Sequence, residues 1–349
     1  MAEEVAQKRA HFCIGAGSIG VFLGARFAAH MGPDVPTWLV GRGTRVEKMR
    51  VSGVLVEDAE NGRWQPVKLE TRTWGEQGSF PPRAVLWITC KVGEIASVLE
   101  DVAKRTDGTQ GIVLCQNGVG VGELAQREWK RLDGIPTTSF GRAVFWLGAR
   151  LEAPPSDKEE GGRLEPYRLY AGGKIRGVEI GSSSGDLLTE MRAAFRSIEI
   201  KLIEQQDNGW GIVEWRKALW NASMNAIGAL AECRNRGVLE DVQLRLLCRQ
   251  LYAEAHKVAA REGIKIPAAF ENTVWEAARE VGENYNSMLQ DLWAGRKTEL
   301  KWLNGAIVVA GKRLGVPTPG HEWVVALISA LEALGARSRT WSERIEKKG

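Results

Sequence analysis

The spacing of hydrophobic and polar positions changes near the middle of the chain. In the first half, short apolar runs alternate with amphipathic segments, a pattern that predicts strands alternating with helices in a parallel sheet. Strands are predicted at residues 11–14, 36–40, 53–57, 67–71, 84–90, 111–115, 167–170, 178–180 and 198–203. After residue 206 the apolar positions follow helical spacing, with breaks near Pro267 and at residues 315–320. We therefore predict an α/β domain over residues 1–206 and an all-α domain over residues 207–349.

Composition limits the classes of protein to consider. Lys plus Arg number 47 against 43 for Asp plus Glu, and no basic block indicates a nucleic-acid partner. The first residues contain no apolar core of signal-peptide length, and no run approaches the roughly 18 apolar residues of a membrane span. Five widely spaced cysteines and four scattered histidines show no disulfide or metal-ligand pattern. We expect a cytoplasmic protein without a metal.

The segment GAGSIG stands between the first predicted strand and the first predicted helix. Its glycines fill the three positions of the dinucleotide-binding turn, where they allow a tight turn, close approach to a pyrophosphate and close packing of helix on strand. The order strand, glycine turn, helix predicts a Rossmann-type domain. The predicted cofactor contacts in this turn are Gly15, Ala16, Gly17, Ser18, Ile19 and Gly20.

The end of the second strand indicates which dinucleotide binds. Gly41 and Arg42 stand there, where an NAD-preferring site more often has an acidic residue for the ribose 2′-hydroxyl. Arg42 offers a guanidinium to a 2′-phosphate, and Arg45 could assist it. The alternative is that both are ordinary surface arginines at a helix start. We predict a preference for NADPH.

Two more polar residues, Lys91 and Asn117, each follow a predicted strand. In open α/β sheets, ligands bind beyond the carboxyl ends of the strands. Both side chains are therefore predicted to lie at the ligand-binding edge. The loop at residues 154–162 is polar, contains proline and glycine, and has no identifiable chemistry.

The segment WRKALWNASMNAIGAL, residues 215–230, is predicted to be a helix that is apolar around most of its circumference. Lys217, Asn221 and Asn225 recur on it at intervals of four, so they form one polar stripe. The stripe either contacts solvent or another helix, or lines a ligand cleft. The helical segment alone leaves these alternatives open.

Taken together, the motifs resemble those of the ketopantoate reductase family (2-dehydropantoate 2-reductases). The resemblance rests on GAGSIG, Lys91, QNGVG, KALWNASMN, NSMLQD, TEL with LNG, and GVPTP, in the family's order, over about residues 11 to 330. It implies reduction of a 2-oxo acid, ketopantoate to pantoate, with NADPH, in the pantothenate route. It also implies a helical domain similar to that of 6-phosphogluconate dehydrogenase, and a homodimer is an open expectation.

The resemblance assigns roles to particular residues. The catalytic residues would be Lys217 and Glu299, and Lys91 would contact the cofactor. The substrate-binding residues would be Asn117, Asn221, Asn225, Asn284 and Ser287, of which Asn117 also belongs to the cofactor site. Singly, Asn117 is also compatible with a turn, Ser287 with a helix cap and Glu299 with a first-turn carboxylate.

Lysine suits the chemistry because hydride attack on a ketone places negative charge on oxygen, which an ammonium stabilises and protonates. We expect the helical domain to close over the sheet edge and the cofactor to bind first. Two alternatives remain: a related dehydrogenase for another 2-oxo or 3-hydroxy acid, and a catalytically inactive NADPH sensor.

Overall fold

The computed structural model describes residues 9–32, 34–57, 62–154, 165–203 and 209–334. The chain divides into two compact units. The first comprises Met1–Gln116 and Gly122–Trp210, and the second comprises Asn117–Val121 and Gly211–Gly349. The predicted boundary at residues 206 and 207, and the loop at residues 154–162 beyond its first residue, lie outside the described residues.

In its described residues, the first unit contains one nine-stranded sheet, in the order β4-β3-β9-β8-β7-β6-β1-β2-β5. Its strands are β1 (His11–Ile14), β2 (Thr37–Gly41), β3 (Val54–Glu57), β4 (Trp64–Val67), β5 (Thr71–Thr73), β6 (Val85–Ile88), β7 (Gly111–Leu114), β8 (Ser139–Glu152) and β9 (Tyr167–Ser182). Its helices are α1 (Ser18–His30), α2 (Thr44–Ser52), α3 (Ile95–Ala103), α4 (Val121–Arg131) and α5 (Gly185–Ser197), with a 3₁₀ turn at Val92–Glu94. Among the strand pairs of the described residues, only β3–β4 and β8–β9 are antiparallel, so the predicted mostly parallel sheet is confirmed.

The central strands are short and buried on both faces. All four residues of β1, β6 and β7 are buried, and Trp87, Phe22 and Phe195 are among the large side chains that fill the core. Strands covered on both faces read as continuous apolar runs, which is why the sequence identified them directly.

Four of the predicted strands differ from the strands of the structure. The predicted strand at residues 67–71 corresponds to the end of β4 and the start of β5, which lie at opposite edges of the sheet. The predicted strands at 167–170 and 178–180 are one long strand, β9, paired with β8, which had not been predicted. The predicted strand at 198–203 forms a single bridge, Val178 to Leu202. Its first residues instead end α5, since Ile200 N–H donates to the Phe195 carbonyl after Glu199 takes a positive φ of 56°.

The described part of the second unit is helical, as predicted. Its elements are α6 (Trp210–Trp220), a π-helical segment (Asn221–Asn225), α7 (Ala226–Leu230), α8 (Asn235–Glu240), α9 (Val242–Arg261), α10 (Phe270–Glu280), α11 (Ser287–Trp293), a 3₁₀ turn (Leu300–Trp302), α12 (Asn304–Leu314) and α13 (Pro319–Ala333). The predicted breaks near Pro267 and at residues 315–320 separate α9 from α10 and α12 from α13. Among the described residues, no helix is long and apolar enough to cross a membrane.

Candidate active site

The glycine turn of the first unit has the geometry of an anion-binding helix start. A Cβ on Gly20 would lie 1.8 Å from the Gly15 carbonyl oxygen, so only glycine allows helix and turn to pack this closely. A Cβ on Gly17 would have no atom within 4 Å. Gly17 is the N-cap of α1 and has no side-chain cap, so the backbone faces open space where helix N–H groups can bind a pyrophosphate. The turn therefore fits a dinucleotide.

Arg42 directly follows β2 and is exposed, with 54% of its side chain accessible. Its guanidinium donates to Ser97 Oγ at 3.0 Å and lies 3.6 Å from Asp101 Oδ2. Arg45 donates to the Ala16 carbonyl at 3.4 Å, within the glycine turn. Both arginines thus follow the end of β2, and Arg42 carries an ion pair that a phosphate would have to replace.

Lys91 lies three residues after the end of β6 and is exposed. Its backbone N–H donates to Glu94 Oε2 at 3.3 Å, and its carbonyl accepts from Glu94 N–H at 2.9 Å. These contacts fix the backbone from which the lysine projects. Lys91 therefore follows a central parallel strand, as the sequence predicts.

Asn117 begins the five-residue segment Asn117–Val121, which groups with the helical unit rather than with the sheet unit. The Asn117 amide donates to Glu299 Oε2 at 3.2 Å. Val119 N–H donates to the Trp302 carbonyl at 2.9 Å, and Gly120 N–H donates to Glu214 Oε2 at 2.7 Å. The prediction that Asn117 belongs with the nucleotide domain is therefore corrected, because three hydrogen bonds attach its loop to helical-unit residues.

The polar stripe is buried. Lys217 lies in the last turn of α6 with 8% exposure, and Asn221 and Asn225 begin and end the π segment with 3% and 5% exposure. The Lys217 ammonium lies 5.4 Å from the centre of the Trp220 ring. Of the alternatives from sequence, an open water-facing stripe is excluded by this burial. The predicted unbroken α-helix is also corrected, because five of its residues form a π turn.

Side chains donate hydrogen bonds to carbonyl groups in and next to the π segment. Ser223 Oγ donates to the Leu219 carbonyl at 2.6 Å and to the Trp220 carbonyl at 3.1 Å. Cys248 Sγ donates to the Ser223 carbonyl at 3.4 Å. Burial raises the pKa of this thiol to about 12, so the thiol keeps its proton. Buried carbonyls need such partners, and π turns are frequent at functional sites.

Asn304 provides a further partner. Its Nδ2 donates to the Ala222 carbonyl at 2.8 Å and lies 3.1 Å from His321 Nδ1. Since Nδ2 is the donor, His321 Nδ1 accepts, and its Nε2–H donates to the Leu251 carbonyl at 2.9 Å. Burial lowers the pKa of His321, which favours this neutral tautomer. Asn304 belongs to the LNG motif of the sequence, but the motif did not predict that this side chain would donate to the π segment.

Asn284 and Ser287 lie in and after the turn before α11, a helix that packs against the π segment and α7. Asn284 is partly buried, and its backbone carbonyl accepts from Asn235 N–H at 3.1 Å. Ser287 is exposed and is the first residue of α11. The N-cap is Asn286, whose Oδ1 accepts from Leu289 N–H at 3.0 Å. Ser287 is therefore not the N-cap of α11, which was the structural alternative to its predicted role in substrate binding.

Glu214 is a second residue that the sequence analysis missed. It lies three residues before Lys217 on α6, is 2% exposed, and binds the backbone of the Asn117–Val121 segment. A carboxylate at this spacing from the stripe, within an apolar helix, was the available signal. Among the described residues, no group of three or more His, Cys, Asp or Glu side chains could hold a metal ion.

Comparison with known proteins agrees with this arrangement. Residues 12–154 match the family described as ketopantoate reductase PanE/ApbA, and residues 213–332 match its C-terminal domain. A 2-dehydropantoate 2-reductase of Pyrococcus horikoshii is 27% identical over 331 residues, covering 94% of this chain and 99% of that protein.

Solved structures share the fold at lower identity. A dimeric ketopantoate reductase from Staphylococcus aureus gives a TM-score of 0.71 at 18% identity, covering 93% of this chain and 99% of that one. A ternary structure of D-mandelate dehydrogenase with NADH and anilino(oxo)acetate gives 0.76 at 19% identity, covering 93% and 98%. The two family matches together cover more than half of the sequence, so this chain belongs to the ketopantoate reductase family of NADP-dependent oxidoreductases, which act on CH–OH donors.

Proposed function

We propose that the protein reduces a 2-oxo acid with NADPH, and that the acid is ketopantoate, giving pantoate in the pantothenate route. The observation that carries the proposal is the buried position of Lys217 on one helical run with Asn221 and Asn225. A lysine and two amides in an otherwise apolar run suit a small, polar, anionic substrate.

Lys217 is proposed as the general acid. When bound, NADPH supplies the hydride for the carbonyl carbon. Lys217 then stabilises the negative charge that develops on the carbonyl oxygen and donates a proton to it, which completes the hydroxyl group. Asn221, Asn225 and Asn284, with Ser287, are proposed to orient the substrate through amide and hydroxyl groups, which add no charge. Glu299 and Asn117, already hydrogen-bonded to each other, are proposed to hold the substrate beside the ammonium.

The cofactor is proposed to lie on residues 15–20, with Lys91 and Asn117 as further contacts. Arg42 is proposed to bind the 2′-phosphate after exchanging its Asp101 partner for it, and Arg45 lies near enough to the glycine turn to assist. A charge-assisted, forked contact of this kind distinguishes NADPH from NADH.

A substrate panel tests the proposal. Purified protein would be assayed with NADPH and NADH against ketopantoate, pyruvate, 2-oxoisovalerate and phenylglyoxylate, and in reverse with 3-hydroxy acids. Phenylglyoxylate is included because its reduction gives mandelate, and one structural neighbour is a D-mandelate dehydrogenase. We expect the highest kcat/KM with ketopantoate and NADPH. Turnover of another acid alone would replace the substrate, and NADPH binding without any turnover would favour the sensor.

The setting of the reaction is also a proposal. None of the five cysteines, all of which lie in the described residues, forms a disulfide, which suits a reducing compartment such as the cytoplasm. We propose that the protein forms a homodimer, because one structural neighbour is a dimeric ketopantoate reductase. We also propose that its partner is a small-molecule substrate rather than a nucleic acid or a membrane.

A further inference from the structure

The helical unit contains a cavity that is lined by residues of α8, α9 and α10 and by Gly282 in the turn after α10. Its volume is about 720 Å³, which lies in the range of small-molecule sites. None of the residues assigned to the cofactor, the substrate or the general acid lines it. The cavity opens to solvent, since the side chains of two lining residues, Arg236 and Arg249, are 60% and 59% exposed.

Guanidinium groups dominate the polar lining of this cavity. They belong to Arg236, Arg245, Arg249 and Arg279. Two carboxylates, those of Glu240 and Glu276, also line it, so the positive charges of the lining exceed the negative ones by two. Three different helices bring these like charges to one cavity, where they repel each other, and a bound anion would relieve that repulsion.

The four arginines differ in the partners that they already have. Arg236 and Arg249 each lie within ion-pair distance of a carboxylate outside the cavity lining. In the part of the chain that the structure describes, Arg245 and Arg279 have no ion-pair partner, and Arg245 donates to the Leu239 carbonyl at 3.2 Å. The forked N–H donors of a guanidinium match the oxygens of carboxylate and phosphate groups. These two arginines therefore have donors available for an anion.

We propose that the cavity binds a small organic polyanion and that this binding lowers the affinity for the oxo acid. The ligand carries at least two phosphate or carboxylate groups, because the two arginines without carboxylate partners stand on different helices, α9 and α10. A single phosphate would fill only a small part of the volume. The effect on the oxo acid rests on the proposed function, whereas the binding of the anion does not.

Helix α8 connects the cavity to the turn that carries Asn284. The backbone N–H of Arg236 donates to the Gly282 carbonyl at 2.8 Å, and its guanidinium lies 2.8 Å from Glu283. Asn235 N–H donates to the Asn284 carbonyl at 3.1 Å. An anion that competes with Glu283 for the Arg236 guanidinium removes a restraint on the residue next to Asn284. We therefore expect the bound anion to raise KM for the oxo acid.

Calorimetry of the full chain with inorganic pyrophosphate, and separately with citrate, tests the site. Saturating NADP keeps the probe away from the glycine turn. Arg245→Ala and Arg279→Ala should each weaken binding about tenfold or more, because a charge-assisted contact is lost, and added NaCl should weaken it further. Arg261→Ala is the matched control, since Arg261 is exposed on the same helix as Arg245, about 24 Å further along it.

The two variants keep the calorimetric result decisive. Arg245→Ala removes the bond to the Leu239 carbonyl, which could disturb folding, but no such bond is recorded for the Arg279 side chain in the described residues. Tighter binding of pyrophosphate would assign the cavity to phosphate groups, and tighter binding of citrate would assign it to carboxylates. Failure of both probes to bind, or binding that Arg279→Ala does not weaken, would overturn the proposal.

Steady-state kinetics with ketopantoate and saturating NADPH test the coupling. Pyrophosphate should raise KM about twofold to fivefold at constant kcat, which is the effect of one exposed ion pair, and Arg279→Ala should reduce this response. Reciprocity requires ketopantoate to weaken pyrophosphate binding by the same factor. An unchanged KM with pyrophosphate bound would overturn the coupling. If ketopantoate is not turned over, calorimetry still decides the anion site, so its failure is distinguishable from failure of the proposed reaction.

Discussion

Asn117 donates its side-chain amide to Glu299 Oε2 at 3.2 Å, which joins two residues 182 positions apart in the sequence. The amide nitrogen donates and the carboxylate accepts, so the bond directs the Glu299 carboxylate toward the loop. Together with the bonds from Val119 and Gly120, it holds the Asn117–Val121 segment against helical-unit residues.

This relationship predicts energetic coupling between the two residues. Asn117→Ala, Glu299→Ala and the double variant should give a coupling energy of about 0.5 to 3 kcal/mol, because each single change removes the same bond. The free energy of unfolding in urea and kcat/KM for the oxo acid would both be measured. Additive effects in both quantities would show that the bond has no energetic consequence.

The role of Lys217 predicts a loss of turnover without a loss of cofactor. Lys217→Ala should lower kcat by about 10² to 10⁴, while the Kd for NADPH changes little. Lys257→Ala, at an exposed position of α9, is the control and should be silent. Near-normal turnover of Lys217→Ala would assign the acid elsewhere, with Lys91 the first candidate. Truncating Asn221 or Asn225 should instead raise KM most.

Arg42 predicts a cofactor preference that depends on one side chain. Arg42→Ala should weaken NADPH binding by about 1.5 to 3 kcal/mol, because a charge-assisted contact is lost, and should leave NADH unchanged. Asp101→Ala, which removes the carboxylate now paired with Arg42, should tighten NADPH binding. Fluorescence titration with both cofactors measures this. Equal affinities in the unmutated protein would contradict the prediction.

Asn304 predicts a positioning effect. Asn304→Ala leaves the Ala222 carbonyl and His321 Nδ1 without this donor, so we expect a stability loss of about 1 to 3 kcal/mol. Because the π segment carries Asn221 and Asn225, KM for the oxo acid should rise about tenfold while NADPH affinity stays constant. Asn272→Ala, exposed on α10, is the control. A variant with lower stability and normal KM would reduce Asn304 to a purely structural role.

His11 predicts sensitivity of the fold to acid. Burial, with the positive charge of Arg9, lowers the pKa of His11 from 6.5 to about 4, and its Nδ1 accepts from Trp87 Nε1–H at 3.1 Å. The unfolded chain binds this proton more tightly, so the contribution is complete above pH 6.5 and is lost as the pH falls toward 4. The loss amounts to about 3 kcal/mol. Denaturation of His11→Asn should lack this component, whereas the exposed His30→Asn should retain it.

The sequence predicted best where a pattern repeats within one segment. The GxGxxG turn, the short buried strands β1, β6 and β7, and the stripe on α6 and the π segment are local patterns, and the helical breaks follow proline and glycine. Prediction failed where partners are distant. The segment at 67–71 contributes to both edges of the sheet. β8 was missed although turn residues flank it, because glycines and arginines within residues 139–152 interrupt its apolar pattern.

The same limit applied to the site. The polar residues near Lys217 could be identified from their spacing in the sequence. The hydrogen bond of Asn117, by contrast, joins residues 182 positions apart, and that of Asn304 joins residues 82 positions apart. No spacing rule covers such distances. The capping residue of α11 was missed by one position for a related reason, since Asn286 and Ser287 are both good caps and packing selects between them.

The π segment has a further consequence for the direction in which the stripe points. An α-helix completes a turn in 3.6 residues, so a step of four overshoots by about 40°. Bonds from residue i to i+5 widen the turn beyond four residues, so the same step through the π segment falls short of a full turn. The overshoot from Lys217 to Asn221 is thus countered by the shortfall from Asn221 to Asn225. An unbroken α-helix would rotate Asn225 about 80° away from Lys217, whereas this backbone returns the second amide toward the azimuth of the ammonium.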